Sequence, residues 1–427
     1  MFTSLGVRNY RLYASGNLVS NTGTWMQRIA QDWLVLELSG GSGVALGVVT
    51  ALQFGPVLIF GLYGGMLADR YDKRLMLLVS QACLGLLALS LGLLDVTGAV
   101  ALWHVYVIAA GLGVVTALDT PIRQAFVSEL VGPERLSNAV GLNSTTFNAG
   151  RLIGPGIAGV LIAGYGTAPV FLLNAATFCF TLAALIRMRP GELFRAARVA
   201  RARGQLREAL SYVRARPDLL LPMVLVFIVG TFGLNLQITT ALMAREEFGL
   251  GASAFGLLGS CVAVGSLTGA LLSTRRRSRP RMRLLIGTAL AFGLLEVTAG
   301  LMPNFVTFAA LCVPTGAAAL IFIIAANSSV QLGTDAAVRG RVMALYLLFF
   351  MGGTPLGAPI VGWLSEHFGP RSGIVVGGLV CVVAAVVIGL YLAARSGVRV
   401  EAHVRGRPYL HVDLAPLRAR ETVGQPG

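Results

Sequence analysis

Arg28, Asp32, Asp119, Arg123, Arg151 and Glu296 fall inside stretches that are otherwise apolar. A charge in hydrocarbon is costly, so residues of this kind turn toward protein or water and mark ion and substrate paths. Asp32 follows Arg28 by one helical turn. Burial favours the neutral form of a carboxyl, while a neighbouring guanidinium favours the charged form. A carboxyl poised between the two can take up a proton and release it. Asp32 is therefore expected to handle protons, with Arg28 beside it and Arg151 brought to a similar depth. The plainer alternative is that Trp33 and Glu37 mark the membrane boundary and Asp32 only pairs with Arg28 in wet surroundings. Asp119 and Arg123 are four apart, the spacing of an ion pair along one helix face, and are expected to pair at a gate near the inner end of their helix. His104 follows Trp103 at an outer helix end, the ordinary place of an interfacial anchor.

Asn17, Asn21, Thr24, Arg28, Gln31 and Asp32 recur every three or four residues along the first of these stretches. A polar stripe of that kind cannot face lipid. It is expected to line a water-filled cavity, joined by Gln53 of the second stretch and by Asn148 and Arg151 of the fifth; a purely structural polar seam is the alternative. The chain has no nucleophile with a base, no Gly-x-x-x-x-Gly-Lys phosphate loop and no metal-ligand spacing. No cofactor, metal or enzymatic role is expected, and ATP hydrolysis has no visible means. Work against a gradient must then be drawn from another gradient. One charge moved through 100 mV is worth about 2.3 kcal/mol, enough for more than a tenfold gradient of a neutral solute.

The elements that position these residues are membrane helices. Hydrophobic residues make up 55% of the 427 and charged residues 12%, with a mean hydropathy of +0.75, a composition outside that of soluble domains. Runs of the roughly 20 residues a membrane span needs occur at 9–38, 43–68, 75–94, 99–122, 137–164 and 167–188, then at 219–243, 253–273, 284–302, 305–332, 342–365 and 372–394. That is twelve spans in two groups of six. The arginines fall in alternate connections, which places both termini in the cytoplasm and reads the net charge of +15 as topology rather than as a nucleic-acid face. Residues 189–218 form a basic linker with helical periodicity, expected to lie as an amphipathic helix at the inner surface, and 395–427 a tail without regular structure. The two bundles are 1–188 and 219–394. Gly154, Gly159 and Gly166 recur as Gly357, Gly362 and Gly369 at one offset of 203, the mark of an internal repeat.

Gly65-Met-Leu-Ala-Asp69-Arg70, followed by Tyr71, Asp72, Lys73 and Arg74, forms a short charged elbow between the second and third spans. It resembles the loop signature of the major facilitator superfamily, with Gly65, Asp69, Arg70, Lys73 and Arg74 on the matching positions and Asp72 where the family has a second glycine. Gly150-Arg-Leu-Ile-Gly154-Pro155-Gly156-Ile-Ala-Gly159 resembles the fifth-helix motif of its antiporters and exporters. With 117–126 and 138–143, the resemblance extends over residues 8–394 to the enterobactin exporter and transmembrane secretion effector branch.

The resemblance implies an all-α fold of two pseudo-symmetric six-helix bundles in a bacterial cytoplasmic membrane. It implies a secondary active exporter, a monomer exchanging protons for a small amphipathic drug or siderophore. An importer of a small metabolite is the alternative, and a receptor or lipid-modifying enzyme a more distant one. Asp69 is expected to dock at the positive N-terminal end of the eleventh helix, near Gly340 to Val342 with Arg341, when the cavity opens outward, because dipole and charge both favour a carboxylate there. The matching loop of the second half, 273–277, has no acid, so this latch is one-sided. Gly154, Pro155 and Gly159 are expected to face Gly265 and Gly269 of the eighth helix, and Glu296, on a ninth helix that faces outward in the fold, to snorkel.

Overall fold

The computed structural model describes residues 3–194, 205–274, 279–335, 338–396, 400–403 and 409–412, with no side chain described at 62, 65, 68, 69, 205–208, 395–396 or in the two strands. The first half contains α1 (Arg8–Ser39), α2 (Gly43–Arg70), α3 (Lys73–Val96), α4 (Leu102–Val131), α5 (Leu136–Tyr165) and α6 (Ala168–Arg187). After the linker helix α7 (Gln205–Arg214) come α8 (Pro217–Phe232), α9 (Leu236–Leu242), α10 (Ala252–Thr274), α11 (Met282–Gly300), α12 (Phe305–Gly333), α13 (Arg339–Phe368) and α14 (Pro370–Ser396). Helices α8 and α9 make one span with a break between them.

Eleven segments among the described residues are long and apolar enough to cross a membrane. The twelfth expected span, α1, has 32 residues but too many polar ones to count with them. Those polar positions are inside: Asn17, Gln27, Gln31 and Asp32 are all buried as α1 packs on α4, α5 and α6. Side-chain caps start several spans: Ser42 accepts from the Ala45 N–H at 3.1 Å, Asp72 from Leu75 at 3.1 Å and Asn304 from Thr307 at 3.0 Å. Each satisfies a backbone donor that the first turn leaves open. Asp72 thus explains its own departure from glycine, because its backbone lies at φ −65°, where no glycine is required.

The internal repeat holds at the level of contacts. Gly159 on α5 and Gly362 on α13 both meet the opposite half, at Ala252 of α10 and Gly43 of α2. Gly154 and Gly357 both meet the first span of their own half, at Trp25 of α1 and Thr231 of α8. Gly166 and Gly369 end their helices with positive φ of 79° and 90°, a backbone that side chains seldom adopt.

Of the linker, α7 buries Ala209 and Val213 in the core of the second half, and its Tyr212 hydroxyl donates to Asp335 at 2.7 Å. Residues 195–204 lie outside the described ones. The tail, expected to lack regular structure, contains two paired antiparallel strands, β1 (Val400–His403) and β2 (Tyr409–Val412).

Candidate functional site

The halves meet along two seams, α2 against α13 and α5 against α10. Small residues bring the backbones together: a Cβ on Gly47 would lie 2.5 Å from the Ala358 carbonyl oxygen, and one on Gly159 would lie 2.9 Å from that of Ala252. Where α2 begins, Glu366 of α13 accepts from the Ser42 hydroxyl at 2.6 Å and the Val44 N–H at 2.9 Å. These contacts shut the bundle at the end that carries Gly40 to Ser42. The opposite end carries the Tyr71–Asp72 elbow and the arginine-rich connections.

Between the halves lies a cavity of about 300 Å³. The first half contributes Trp25, Ile29, Phe54, Arg151 and Pro155, and the second half Gln237, Phe255, Phe350, Met351 and Thr354 among others. Trp25 sits between two guanidinium groups, with Arg28 4.8 Å and Arg151 5.8 Å from its ring centre; Arg28 also lies 5.3 Å from the Phe54 ring. Such contacts stabilise a cation by about 0.5–2 kcal/mol, more when water is excluded. Among the described residues neither arginine has an ion pair or hydrogen bond.

Asp32 is 2% exposed and makes no ion pair with Arg28. Its carboxylate accepts instead from the Gln237 side chain of α9, a contact that joins the two halves. Trp33 stacks on Phe255 of α10 at 6.5 Å, with Arg245 over its ring at 5.6 Å. The alternative of a wet Arg28–Asp32 pair beside a boundary tryptophan is therefore corrected: both Asp32 and Trp33 are closed into the seam.

The other polar positions of α1 are off the cavity wall. Asn17 donates to Asn143 at 2.7 Å and accepts from Arg123 at 2.6 Å. Asn21 lies against Gly150, the Thr24 hydroxyl donates to the Ser20 carbonyl at 2.9 Å, and both amide atoms of Gln31 are buried without a partner. The Gln53 backbone carbonyl packs against Gly113, and Asn148 donates to the Ser144 carbonyl at 2.8 Å. These six were expected on a cavity; none is among the residues that wall this one, where Asn17 and Gln31 are buried and Asn21, Thr24, Gln53 and Asn148 half-buried.

Asp119 is 4% exposed and accepts from Ser80 at 2.5 Å, Gln81 at 2.9 Å and both Nε and Nη2 of Arg123 at 2.9 and 2.8 Å. With Asn17 and Asn143 this network joins α1, α3, α4 and α5 inside one half. At the elbow, Lys73, the only lysine of the chain, pairs with Glu129 at 2.5 Å. Arg74 donates to the last carbonyls of α6, Leu185 at 2.7 Å and Ile186 at 3.0 Å. Arg70 is the exposed last residue of α2, and Arg341 lies in the first turn of α13. The Asp69 side chain, position 65 and residues 275–278 lie outside what is described, so the one-sided latch does too.

Of the fifth-helix motif, Pro155, Gly156 and Gly159 face α10, but at Gly256, Gly259 and Ser260. Gly265 and Gly269 pack on α12 of their own half, at Val313 and Ala317, while Gly150 and Gly154 pack on α1. Glu296 does not snorkel: it is 2% exposed, one carboxyl oxygen has no partner, and it faces Gly233 in the α8–α9 break and Gly378 on α14. Sequence reasoning also missed Trp25, Phe54, Phe255 and Gln237. The spacing of Trp25, Arg28, Ile29 and Asp32 on one helical face was the available signal.

The family pattern described as transmembrane secretion effector matches residues 2–416. The chain is 31% identical over 177 residues to the staphyloferrin A transporter of Staphylococcus aureus, covering 41% of this chain and 44% of that one. To the enterobactin exporter of Shigella boydii it is 26% identical over 336 residues, covering 76% and 78%. A bacterial homologue of the human lysosomal transporter Spinster, solved inward-facing and unoccupied, shares the fold at a TM-score of 0.71 and 16% identity, over 91% of this chain and 97% of that one.

Proposed function

The chain belongs to the transmembrane secretion effector family, a branch of the major facilitator superfamily, and from that premise we propose a secondary active exporter that exchanges protons for a small amphipathic molecule. The observation that carries the reading is the cavity walled by both halves and shut at one end by glycine seams and the Glu366–Ser42 contact. In this reading the basic loops and both termini lie in the cytoplasm of a bacterial cell, and the structure is the inward-open state of a monomer. Rocking the halves about the cavity opens the Gly40 end and closes the elbow end.

Asp32 is the coupling residue of this scheme. Opening the seam separates it from Gln237 and lets water reach it, so that it takes up or releases a proton as the cavity changes sides. The relatives named for enterobactin and staphyloferrin A favour a siderophore-like solute.

Everted vesicles from cells lacking their own exporters test the direction and the coupling. Catecholate and carboxylate siderophores and membrane-permeant dyes serve as probes. An exporter accumulates one of them when the vesicle interior is acidified and loses it on adding a protonophore. Expulsion of the probe under the same gradient would instead make the protein an importer.

A further inference from the structure

We infer that the solute is an anion with a flat aromatic or otherwise apolar body, and that Arg151 selects it. The inference rests on the transport reading for the role of the cavity and adds the sign of the charge. Arg151 is the only ionisable side chain on the cavity wall among the described residues. Asp32, one turn from Arg28, is off that wall and engaged by Gln237. The remaining polar wall groups are neutral, Thr240, Ser266 and Thr354 among them.

Among the described residues Arg151 is paired with no carboxylate of the protein, whereas Arg28, behind Trp25, makes no ion pair but has Asp32 one helical turn away as its partly compensating charge. Ring faces hold both of them, and a ring face offers a guanidinium no charge and no in-plane hydrogen-bond acceptor. A guanidinium has five donors in a fork that fits a carboxylate or another oxyanion. Arg151, on the cavity wall, unpaired and held only by the Trp25 ring inside a membrane bundle, is thus a cradle completed by an anion from outside. A cationic solute would meet the Arg151 charge with no carboxylate among the described residues of the cavity wall to offset it. Trp25, Phe54, Phe255 and Phe350 supply flat apolar surface for the body of the ligand. An amphipathic anion could be a soluble solute or a lipid with an anionic headgroup, and the shared chemistry is the oxyanion on an apolar body.

The test uses the whole purified protein in phosphatidylcholine nanodiscs, with pyrenebutyrate, pyrenebutanol and pyrenebutyl-trimethylammonium read by energy transfer from tryptophan. Binding at equilibrium needs no gradient, so failure of the exporter reading leaves this result intact. The anion should bind at least about tenfold more tightly than the cation. Arg151→Gln should remove about tenfold of the anion's affinity, roughly 1.4 kcal/mol, and leave the alcohol's unchanged. Arg151→Lys should keep most of the preference for the anion, and monodisperse elution of each variant checks that it folds. Equal or tighter binding of the cation, or an Arg151→Gln protein that keeps the anion's affinity, overturns the inference. Phosphatidylglycerol added to the nanodiscs decides the source: competition with pyrenebutyrate makes the anion a lipid, and no competition makes it a soluble solute.

Discussion

Asp32 holds Gln237 across the seam, and an asparagine in its place can hold the same side chain without carrying a proton. Asp32→Asn is therefore expected to keep downhill exchange of solute and to lose uphill export driven by a pH gradient, measured in the same vesicles. Retained uphill export would move the coupling elsewhere. A different outcome is expected at Arg123, whose removal strands the buried Asp119 with only Ser80 and Gln81 as donors. Breaking a buried ion pair from one side costs about 3–5 kcal/mol. Arg123→Leu should lower the melting temperature in detergent sharply, and Arg123→Lys much less. A thermally normal Arg123→Leu protein that no longer transports would give the pair a gating role instead. Which residues carry charge into the membrane was legible in the sequence, because an arginine or aspartate among apolar neighbours stands out. The aromatic walls were not, because Trp25, Phe54 and Phe255 look like any other core residue among 20 phenylalanines and four tryptophans.

At the scale of the helix, the same substitution separates two kinds of contact. Gly159 meets α10 of the opposite half, whereas Gly154 meets α1 within its own half, 2.7 Å from where a Cβ would touch Trp25. Gly159→Leu should leave expression and helix content near normal while abolishing transport, since it wedges apart the α5–α10 seam between the halves rather than the packing within one of them. Gly154→Leu should reduce expression and transport together. Identical losses in the two variants would make both glycines plain packing positions. Eleven spans and their order were legible from hydropathy, since lipid imposes length and apolarity on each, and the polar α1 was legible from its length and place before the second span. Polar periodicity along α1 showed that one face turns inward, but not whether a cavity or another helix lies there, because both satisfy the same side chains. Gln237 was illegible for another reason: its position depends on the break between α8 and α9, which no repeat in the sequence announces.

At the scale of the whole molecule, we propose that the two six-helix bodies pivot around one cavity. Glycine equivalences between Gly159 and Gly362, and between Gly154 and Gly357, give both bodies the same internal contacts and the same contacts to each other. Two such bodies can exchange which end is shut without remaking their cores. The pair Val140 on α5 and Leu271 on α10 is exposed at the elbow end, and Tyr165 and Leu250 are exposed at the other. Spin labels at Val140→Cys with Leu271→Cys, and at Tyr165→Cys with Leu250→Cys, in chains freed of the five native cysteines, report both ends by electron–electron distance measurement in nanodiscs. When pH or solute shifts the protein between states, the account predicts that the first distance shortens as the second lengthens. Two distances that stay fixed, or that change in the same direction, would contradict alternating access in this protein.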